Sequence, residues 1–395
     1  MKYERHLLST LREELSKPTP VIHVLIGPRQ IGKTTIALQI KESVKIPTIY
    51  ATADSPVPLD SSWIETHWKR AVTESNASKS PVILILDELQ KVRRWSETLK
   101  IFWDSRSGGP EIRVLILGSS SLLMQEGLTE SLAGRFFLHR CSHWSYSECK
   151  AAFGWNLEQW IFFGGYPGAA SFINNEVSWK RYITDSLIET VLARDVLQMS
   201  KIAKPVLLRH LFALAATLPA QFVSYTKMLG QLHDAGNTTT LAHYLKLLES
   251  AFLVSGLELF SRNKQRKRGS SPKLVLWNNA LINALSTRTF DASIADSIWW
   301  GRLIENAVGA CLCNNLNSIE YTITYWREGN YEVDYVVARG ADIRAIEVKS
   351  GASKKLSGLA RFQSQYPEAK ALIIGGPGIP LEEFFSQDTA QWLKD

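Results

Sequence analysis

The apolar run Val21 to Ile26 leads into G-P-R-Q-I-G-K-T at residues 27–34, and a segment with helical spacing, Thr35 to Ile40, follows at once. Strand, glycine loop and helix in that order restrict the chain to an α/β fold whose first loop can wrap an anion. Gly27 and Gly32 permit a tight path with N–H groups pointing inward at β- and γ-phosphate oxygens, and the dipole of the next helix favours negative charge there. Lys33 adds a point charge and Thr34 a hydroxyl for Mg2+, while Pro28, Arg29, Gln30, Ile31 and Thr35 complete the cradle. Four specified positions at this spacing rarely coincide by accident, and the flanking elements make an ordinary glycine turn the poorer reading.

A second apolar run, in P-V-I-L-I-L-D-E-L-Q at residues 81–90, ends in two carboxylates. A continuous apolar run reads as a parallel strand covered on both faces, which delivers Asp87 and Glu88 to its carboxyl end, where open α/β sheets bind ligands. Asp87 can hold the Mg2+ shell. Glu88 can orient and polarise an attacking water, and that group separates hydrolysis from mere binding. A third strand, Val114 to Leu117, ends in Gly118-Ser119-Ser120-Ser121 and sets small hydroxyls beside the γ-phosphate position. Arg135 then closes a helical stretch just before the run Phe136 to His139, either as a solvated helix-end arginine or as a charge offered to a neighbouring subunit.

The whole chain is consistent with this core. Its 395 residues allow two or three domains, and 45% apolar with 21% charged residues is ordinary globular composition. Met1 to Leu15 mixes charges with leucines, so it reads as an amphipathic helix and not a signal peptide. No run reaches the roughly 18 to 20 apolar residues that span a bilayer, so no membrane partner is expected. Cys141, Cys149, Cys311 and Cys313 suit neither a disulfide framework nor a zinc motif, and reduced thiols in the cytoplasm are the simple reading. A net charge of +7 makes an anionic partner plausible without establishing one.

At this point the chain resembles the AAA+ ATPases, and more narrowly a prokaryotic group in which an AAA module precedes a C-terminal domain of nuclease-like fold and unknown function. The resemblance runs through G-P-R-Q-I-G-K-T, L-I-L-D-E-L-Q, L-G-S-S-S-L, S-L-A-G-R, H-W-S-Y-S-E, F-G-G-Y-P-G, I-E-N and I-E-V-K-S. It implies ATP and Mg2+ as cofactors, with Lys33, Thr34, Asp87 and Glu88 as the catalytic set. Ser119 or Ser120 would sense the γ-phosphate, where many AAA+ proteins use Asn. Arg135 would complete a neighbour's site in trans, which implies a homo-oligomer, a ring or something smaller. Gly164-Gly165-Tyr166-Pro167 would be a hinge between the ATPase core and a helical lid, or an ordinary interhelical turn.

Two further patterns follow. Helical spacing from Val206 to Ala251, with Asn237 to Thr240 as a cap, precedes a hairpin of Phe252 to Phe260 and Lys273 to Trp277. Helix, helix, hairpin is a winged-helix signature. The turn carries Arg262, Lys264, Arg266, Lys267 and Arg268, five cations in seven residues that can lie along DNA phosphates or simply be solvated. Nearer the C-terminus, Glu305 falls on a helix, Asp334 on the alternating strand Tyr331 to Val337, and Glu347 and Lys349 on one face of the next strand. With Arg339 to Asp342 as the turn between antiparallel strands, the set looks like a PD-(D/E)xK nuclease core, including the arrangement of Holliday-junction resolvases. Three carboxylates can gather Mg2+, and Lys349 can polarise a water or steady a phosphate. The bland alternative is a buried acid and lysine that only pair with each other.

The expected architecture is therefore an α/β chain in four parts: an AAA+ core at 1–150, a helical lid at 151–200, a winged-helix domain at 201–285 and a restriction-endonuclease-like domain at 286–395. The expected activity is ATP-driven binding or remodelling of DNA, branched DNA included. An ATP-regulated nuclease and a nucleotide-switched protein scaffold are the alternatives.

Overall fold

Val82 to Leu86 carries no polar side chain, and the strand it forms is buried along its whole length, as a strand covered on both faces must be. The computed structural model describes residues 3–106, 108–118, 128, 130–196, 202–232, 237–262, 271–351 and 356–394. They form two compact units, Met1–Ser142 and His143–Asp395.

In the first unit the chain runs α1 (His6–Ser16), β1 (Ile22–Ile26), α2 (Lys33–Ser43), β2 (Thr48–Thr52), α3 (Ser61–Ser78), β3 (Val82–Asp87), α4 (Trp95–Asp104), β4 (Ile112–Gly118) and β5 (Phe136–Arg140). The strands make one parallel sheet in the order β2-β3-β4-β1-β5. This is the α/β fold with a parallel sheet that the apolar runs implied. One face, with Val24, Leu84 and Ile116, packs against Ile64 and Trp68 of α3 and Leu99 and Trp103 of α4. The other face meets α1, which buries Leu8, Leu11 and Leu15. Because β4 lies between β1 and β3, with Gly118 opposite Ile26 and Leu117 opposite Asp87, three strand ends converge on one edge. Ser119 and Ser120, the expected sensors, lie outside the described residues.

The second unit opens with α5 (Tyr146–Phe153) and α6 (Leu157–Phe163), each started by a reciprocal cap, Ser145 with Glu148 and Asn156 with Gln159. Gly164 follows at φ +70°, where a Cβ would stand 1.9 Å from Asn278 Oδ1, and a Cβ on Gly165 would stand 2.1 Å from the Trp144 carbonyl. These glycines allow two backbones to touch. The motif read as a hinge is a packed joint within this unit.

Beyond it run α7 (Glu176–Arg181), α8 (Pro205–Thr217), α9 (Tyr225–Gln231) and α10 (Thr238–Ser250), the last capped by Asn237 Oδ1 accepting from Thr240 N at 2.8 Å. An antiparallel pair follows, β6 (Val254–Leu257) and β7 (Lys273–Leu276), and Phe222 bridges the first residue of β7. Next come α11 (Ala280–Asn283), α12 (Phe290–Ala295) and α13 (Ser297–Asn315), then β8 (Thr322–Glu328), β9 (Tyr331–Arg339), β10 (Asp342–Val348), α14 (Ser357–Gln365), β11 (Lys370–Ile374) and α15 (Leu381–Ser386). The sheet order is β11-β10-β9-β8, antiparallel except that β11 runs parallel to β10. The β9–β10 turn falls between Arg339 and Asp342, where alternation placed it.

A helix, three antiparallel strands, a helix and a parallel strand thus enclose a core of Trp326, Val333, Val336, Ile343, Leu359 and Phe362. Tyr335 is buried against α13, where it donates to the Glu305 carbonyl at 2.7 Å, while Tyr331 is 44% exposed. A buried asparagine relay joins the two parts of the unit. Asn306 of α13 pairs with both backbone groups of Leu276 and donates to Asn279, which donates to the carbonyls of Ile161 and Leu303. Buried amides need such partners, so the relay fixes α13 against β7 and α6.

Candidate nucleotide site and carboxylate cluster

At the edge where β1, β3 and β4 end, the loop of residues 27–32 turns into α2. A Cβ on Gly27 would sit 2.0 Å from the Cys141 carbonyl, and Gly32 takes φ +95°, so neither position tolerates another residue easily. Gln30 also holds a positive φ, of 57°. Lys33, 7% exposed, donates to the carbonyls of Gly27 at 2.9 Å and Pro28 at 2.6 Å. Burial pulls the Lys33 ammonium below its ordinary pKa, and the field of Cys141, Glu88 and Asp87 offsets this only in part. An anion in the loop would restore that charge's stability, which is what a phosphate supplies.

Thr34 Oγ1 donates to Asp87 Oδ2 at 2.7 Å, and Tyr50 Oη donates to the same oxygen at 2.8 Å. Burial, then the bond to Asp87, raises the Tyr50 phenol, so it remains a donor at any physiological pH. A hydroxyl and a carboxylate oxygen in contact form the hard-oxygen pair that suits Mg2+. Thr34 and Asp87 would hold that ion, whose chemistry there is to neutralise charge on the β- and γ-phosphates. Glu88 follows with φ 54°, a strained setting for a glutamate, and Gln90 Nε2 donates to its carboxylate at 2.7 Å. The two carboxylates of 87–88 are therefore both fixed, one facing Thr34 and the other presented by a short turn.

Arg5 and Tyr50 were invisible in the sequence. Arg5, 6% exposed, sends one guanidinium nitrogen to the Ser142 carbonyl at 3.0 Å, to Cys141 Sγ at 3.1 Å and to the Ile31 carbonyl at 3.4 Å. It braces the loop from behind. Arg135 pairs with Asp104 at 2.7 and 3.0 Å, at the rim of the same unit.

In the second unit α13, β9 and β10 bring Glu305, Asp334, Glu347 and Lys349 to one region, with a residue no motif announced. Lys273, the first residue of β7 and 3% exposed, donates to Glu305 at 2.6 Å and to the Asp334 carbonyl at 2.9 Å, and lies 3.7 Å from the Asp334 carboxylate. Burial works against its charge, but Glu305 and Asp334 outweigh that and raise its pKa. Asp334 Oδ2 accepts from Val348 N at 2.8 Å, and Lys349 Nζ donates to Glu347 at 2.6 Å. Burial lifts Glu305 to about 7 despite Lys273, and lifts Glu347 to about 7 with Asp334 adding to it. Glu347 Oε2 is buried with no hydrogen-bond partner. Among the described residues, the trio of His, Cys, Asp or Glu ligand atoms lying within 4.8 Å of one another is Glu14, His23 and His139, not Glu305, Asp334 and Glu347.

Arg262 pairs with Glu368 at 2.7 Å. Lys264, Arg266, Lys267 and Arg268 lie outside the described residues. No described helix is long and apolar enough to cross a membrane.

Comparison with known proteins divides the chain in three. Residues 19–150 match a family described as an AAA domain, 154–292 match a domain of unknown function (DUF8612), and 300–379 match a second one (DUF4143). No curated protein matches the chain. Among solved structures, a RuvB mutant of Thermotoga maritima is similar, with 14% identity over 63% of this chain and 85% of that one and a TM-score of 0.32, too slight a likeness to bear on function. The match to an AAA domain at residues 19–150 coincides with the glycine loop, the Thr34–Asp87 contact and the parallel sheet of the N-terminal unit.

Proposed function

We propose that the chain hydrolyses ATP with Mg2+ and uses the cycle to bind or remodel DNA as a homo-oligomer. The observation that carries the reading is the Thr34–Asp87 contact beside a buried lysine held by the loop carbonyls. In this reading Lys33 transfers its hydrogen bonds from those carbonyls to phosphate oxygens, and Glu88 orients the water. Ser119 or Ser120 senses the γ-phosphate, and Arg135 exchanges Asp104 for a neighbour's nucleotide.

The second unit supplies the DNA half of the proposal. Two helices, a short Phe222–Lys273 bridge and the β6–β7 hairpin have the order of a winged helix, with Arg262, Lys264, Arg266, Lys267 and Arg268 on its hairpin connection. The helix and strand order of residues 297–374, with Glu305 on α13, Asp334 on β9, Glu347 on β10 and Lys349 just after it, supports a nuclease-core reading. Lys273 argues for binding over cutting: its ammonium sits against two carboxylates that a catalytic cation would need. Division into core, lid, winged helix and nuclease-like domain at 1–150, 151–200, 201–285 and 286–395 is part of the same proposal.

The test is ATPase activity with linear, forked and four-way DNA, beside DNA affinity at rising salt. Stimulation by DNA, lost in Lys33→Ala, is expected, with affinity falling steeply as salt rises. Absence of any salt-sensitive DNA affinity would overturn it and leave a protein-binding switch. DNA cutting that disappears in Glu347→Ala would instead establish the nuclease. Arg135→Ala removes exposed contacts with Asp104 and the Ala133 carbonyl, so lost turnover with an unchanged fold, rescued by mixing with Lys33→Ala subunits, would place the arginine in trans.

A further inference from the structure

Three side chains, one of them more than a hundred positions from the others, meet where α1 lies against the parallel sheet. His23 of β1 and His139 of β5 project from adjacent strands, and Glu14 comes from the last turns of α1. His23 Nδ1 and His139 Nε2 are 3.0 Å apart, and Glu14 Oε2 is 3.3 Å from the first and 3.1 Å from the second. Both histidines are buried, at 4% and 6% exposure, while the Glu14 side chain is 35% exposed and opens the cluster to solvent.

The local network accommodates lone pairs turned inward. His23 Nε2 lies 3.2 Å from Thr19 Oγ1, which accepts from Val21 N at 3.3 Å and can donate to the Val21 carbonyl at 3.3 Å. In that arrangement His23 carries its proton on Nε2 and turns the Nδ1 lone pair inward. One proton, on His139 Nε2, can satisfy Nδ1 but nothing else. Glu14 Oε2 is left buried without a hydrogen-bond partner despite standing beside two ring nitrogens. Three acceptors face one another with at most one proton among them. A single cation satisfies all three.

We propose that Glu14, His23 and His139 form a binding site for one divalent transition-metal ion, with two imidazoles, one carboxylate and an open fourth position. Metal–ligand bonds of about 2.0–2.1 Å in a tetrahedron give edges of about 3.3 Å; one of the separations matches that and the other two, 3.0 and 3.1 Å, fall short within the reach of small side-chain shifts. The donor set suits Zn2+ or Co2+ and not Mg2+. Thr19 is the outer partner of His23, as metal-bound histidines generally require. The ion would tie α1 to β1, the strand that runs into the phosphate loop. This site is separate from the nucleotide's own cation at Thr34 and Asp87.

The experiment uses the full chain, stripped with chelator and free of nucleotide. Co2+ is titrated while tetrahedral d–d absorption is recorded, and Zn2+ is then added to displace it. One equivalent of Co2+ with strong visible bands is expected for the natural chain, the bands vanishing in His139→Gln and Glu14→Gln. Thr19→Val should weaken Co2+ binding by about 10- to 100-fold with the band shape retained. Glu14 is partly exposed, so Glu14→Gln keeps the fold and decides the matter if His139→Gln does not fold. No tetrahedral band in the natural chain would overturn the proposal and leave a shared proton in its place. A band of equal intensity in Glu14→Gln and His139→Gln would overturn it too, since the metal would then sit elsewhere.

Discussion

Replacing Lys273 with methionine keeps the length and apolar stem of the side chain and removes only the charge that faces Glu305 and Asp334. The pair is close, at 2.6 Å, and its members are 4% and 13% exposed, so solvent takes over little of the lost interaction. Removing one partner of a buried ion pair costs about 3–5 kcal/mol when the other charge is left buried and unpaired. Glu305 keeps Arg302, which donates to it at 3.2 Å, so the lower end, about 3 kcal/mol, applies. At 1.36 kcal/mol per factor of ten, that is roughly a 150-fold rise in local opening, read by hydrogen exchange of peptides covering β7 and β9. The effect depends on pH with a definite sign. Glu305 titrates near 7 in the fold against an ordinary 4.5, so its charge penalises folding above pH 7 and the penalty fades as pH falls toward 4.5. Losing Lys273 removes the largest influence holding that value down, so the variant's value rises further. Lys273 itself has a raised pKa, so its contribution is complete throughout pH 5–8 and would be lost only above its ordinary 10.5. The gap between variant and natural chain should be widest at pH 8 and shrink at pH 5 toward about 1.5–2 kcal/mol, the value of a hydrogen bond from a charged donor to a neutral carboxyl. Measured in chelator, with both proteins at the same pH, intrinsic exchange cancels. A gap independent of pH, or a Lys273→Met chain as protected as the natural one at pH 8, would refute the claim that this lysine neutralises the cluster.

The remaining expectations concern the first unit and the packed joint of the second. Glu88→Gln should bind fluorescent ATP as the natural chain does while steady-state turnover falls on the order of 10²- to 10⁴-fold, as loss of a group acting on water requires; equal loss of binding would remove Glu88 from that role. Tyr50→Phe deletes an outer partner of Asp87 and should raise the Mg2+ concentration for half-maximal turnover by about tenfold, with ATP binding in chelator unchanged. Gly164→Ala brings a methyl group to within 1.9 Å of Asn278 Oδ1 at a positive φ and should destabilise the second unit by about 3 kcal/mol or more, seen as a lower thermal midpoint.

What the sequence disclosed, and what it hid, divides by the distance over which each feature is encoded. The phosphate loop, the Asp87–Glu88 strand end, the β9–β10 turn and the Asn237 cap are each written in under a dozen consecutive residues, and each emerged at the expected place. Arg5, Tyr50 and Lys273 have no such text. Arg5 reaches Ser142 across 137 positions, Tyr50 reaches Asp87 across 37, and Lys273 reaches Glu305 across 32. Only Lys273 left a trace, a cation opening the otherwise apolar strand K-L-V-L, where a buried charge demands a partner. The glycine pair at 164–165 was open between a hinge and an ordinary interhelical turn for a related reason: glycine marks a place where the backbone is freed or where it is approached, and only the tertiary neighbour decides between them. Asn278 and Trp144 are those neighbours.

The same distinction bears on the carboxylates of the second unit. Glu305, Asp334 and Glu347 at their spacing imply a site that collects positive charge, and the spacing is silent on which positive charge. An internal ammonium on β7 already stands against two of the three, and Lys349 stands against the other. A divalent ion entering there must displace Lys273 from a buried position to which two hydrogen bonds hold it, whereas a DNA phosphate could approach Lys349 without disturbing that pair. The Lys273→Met chain therefore discriminates twice. If it gains Mg2+ binding that the natural chain lacks, the lysine occupies the metal's place and the natural module binds without cutting. If both chains bind Mg2+ equally, the ion and the lysine use different carboxylate oxygens, the unpartnered Glu347 Oε2 being the one open to it, and the nuclease reading regains its force.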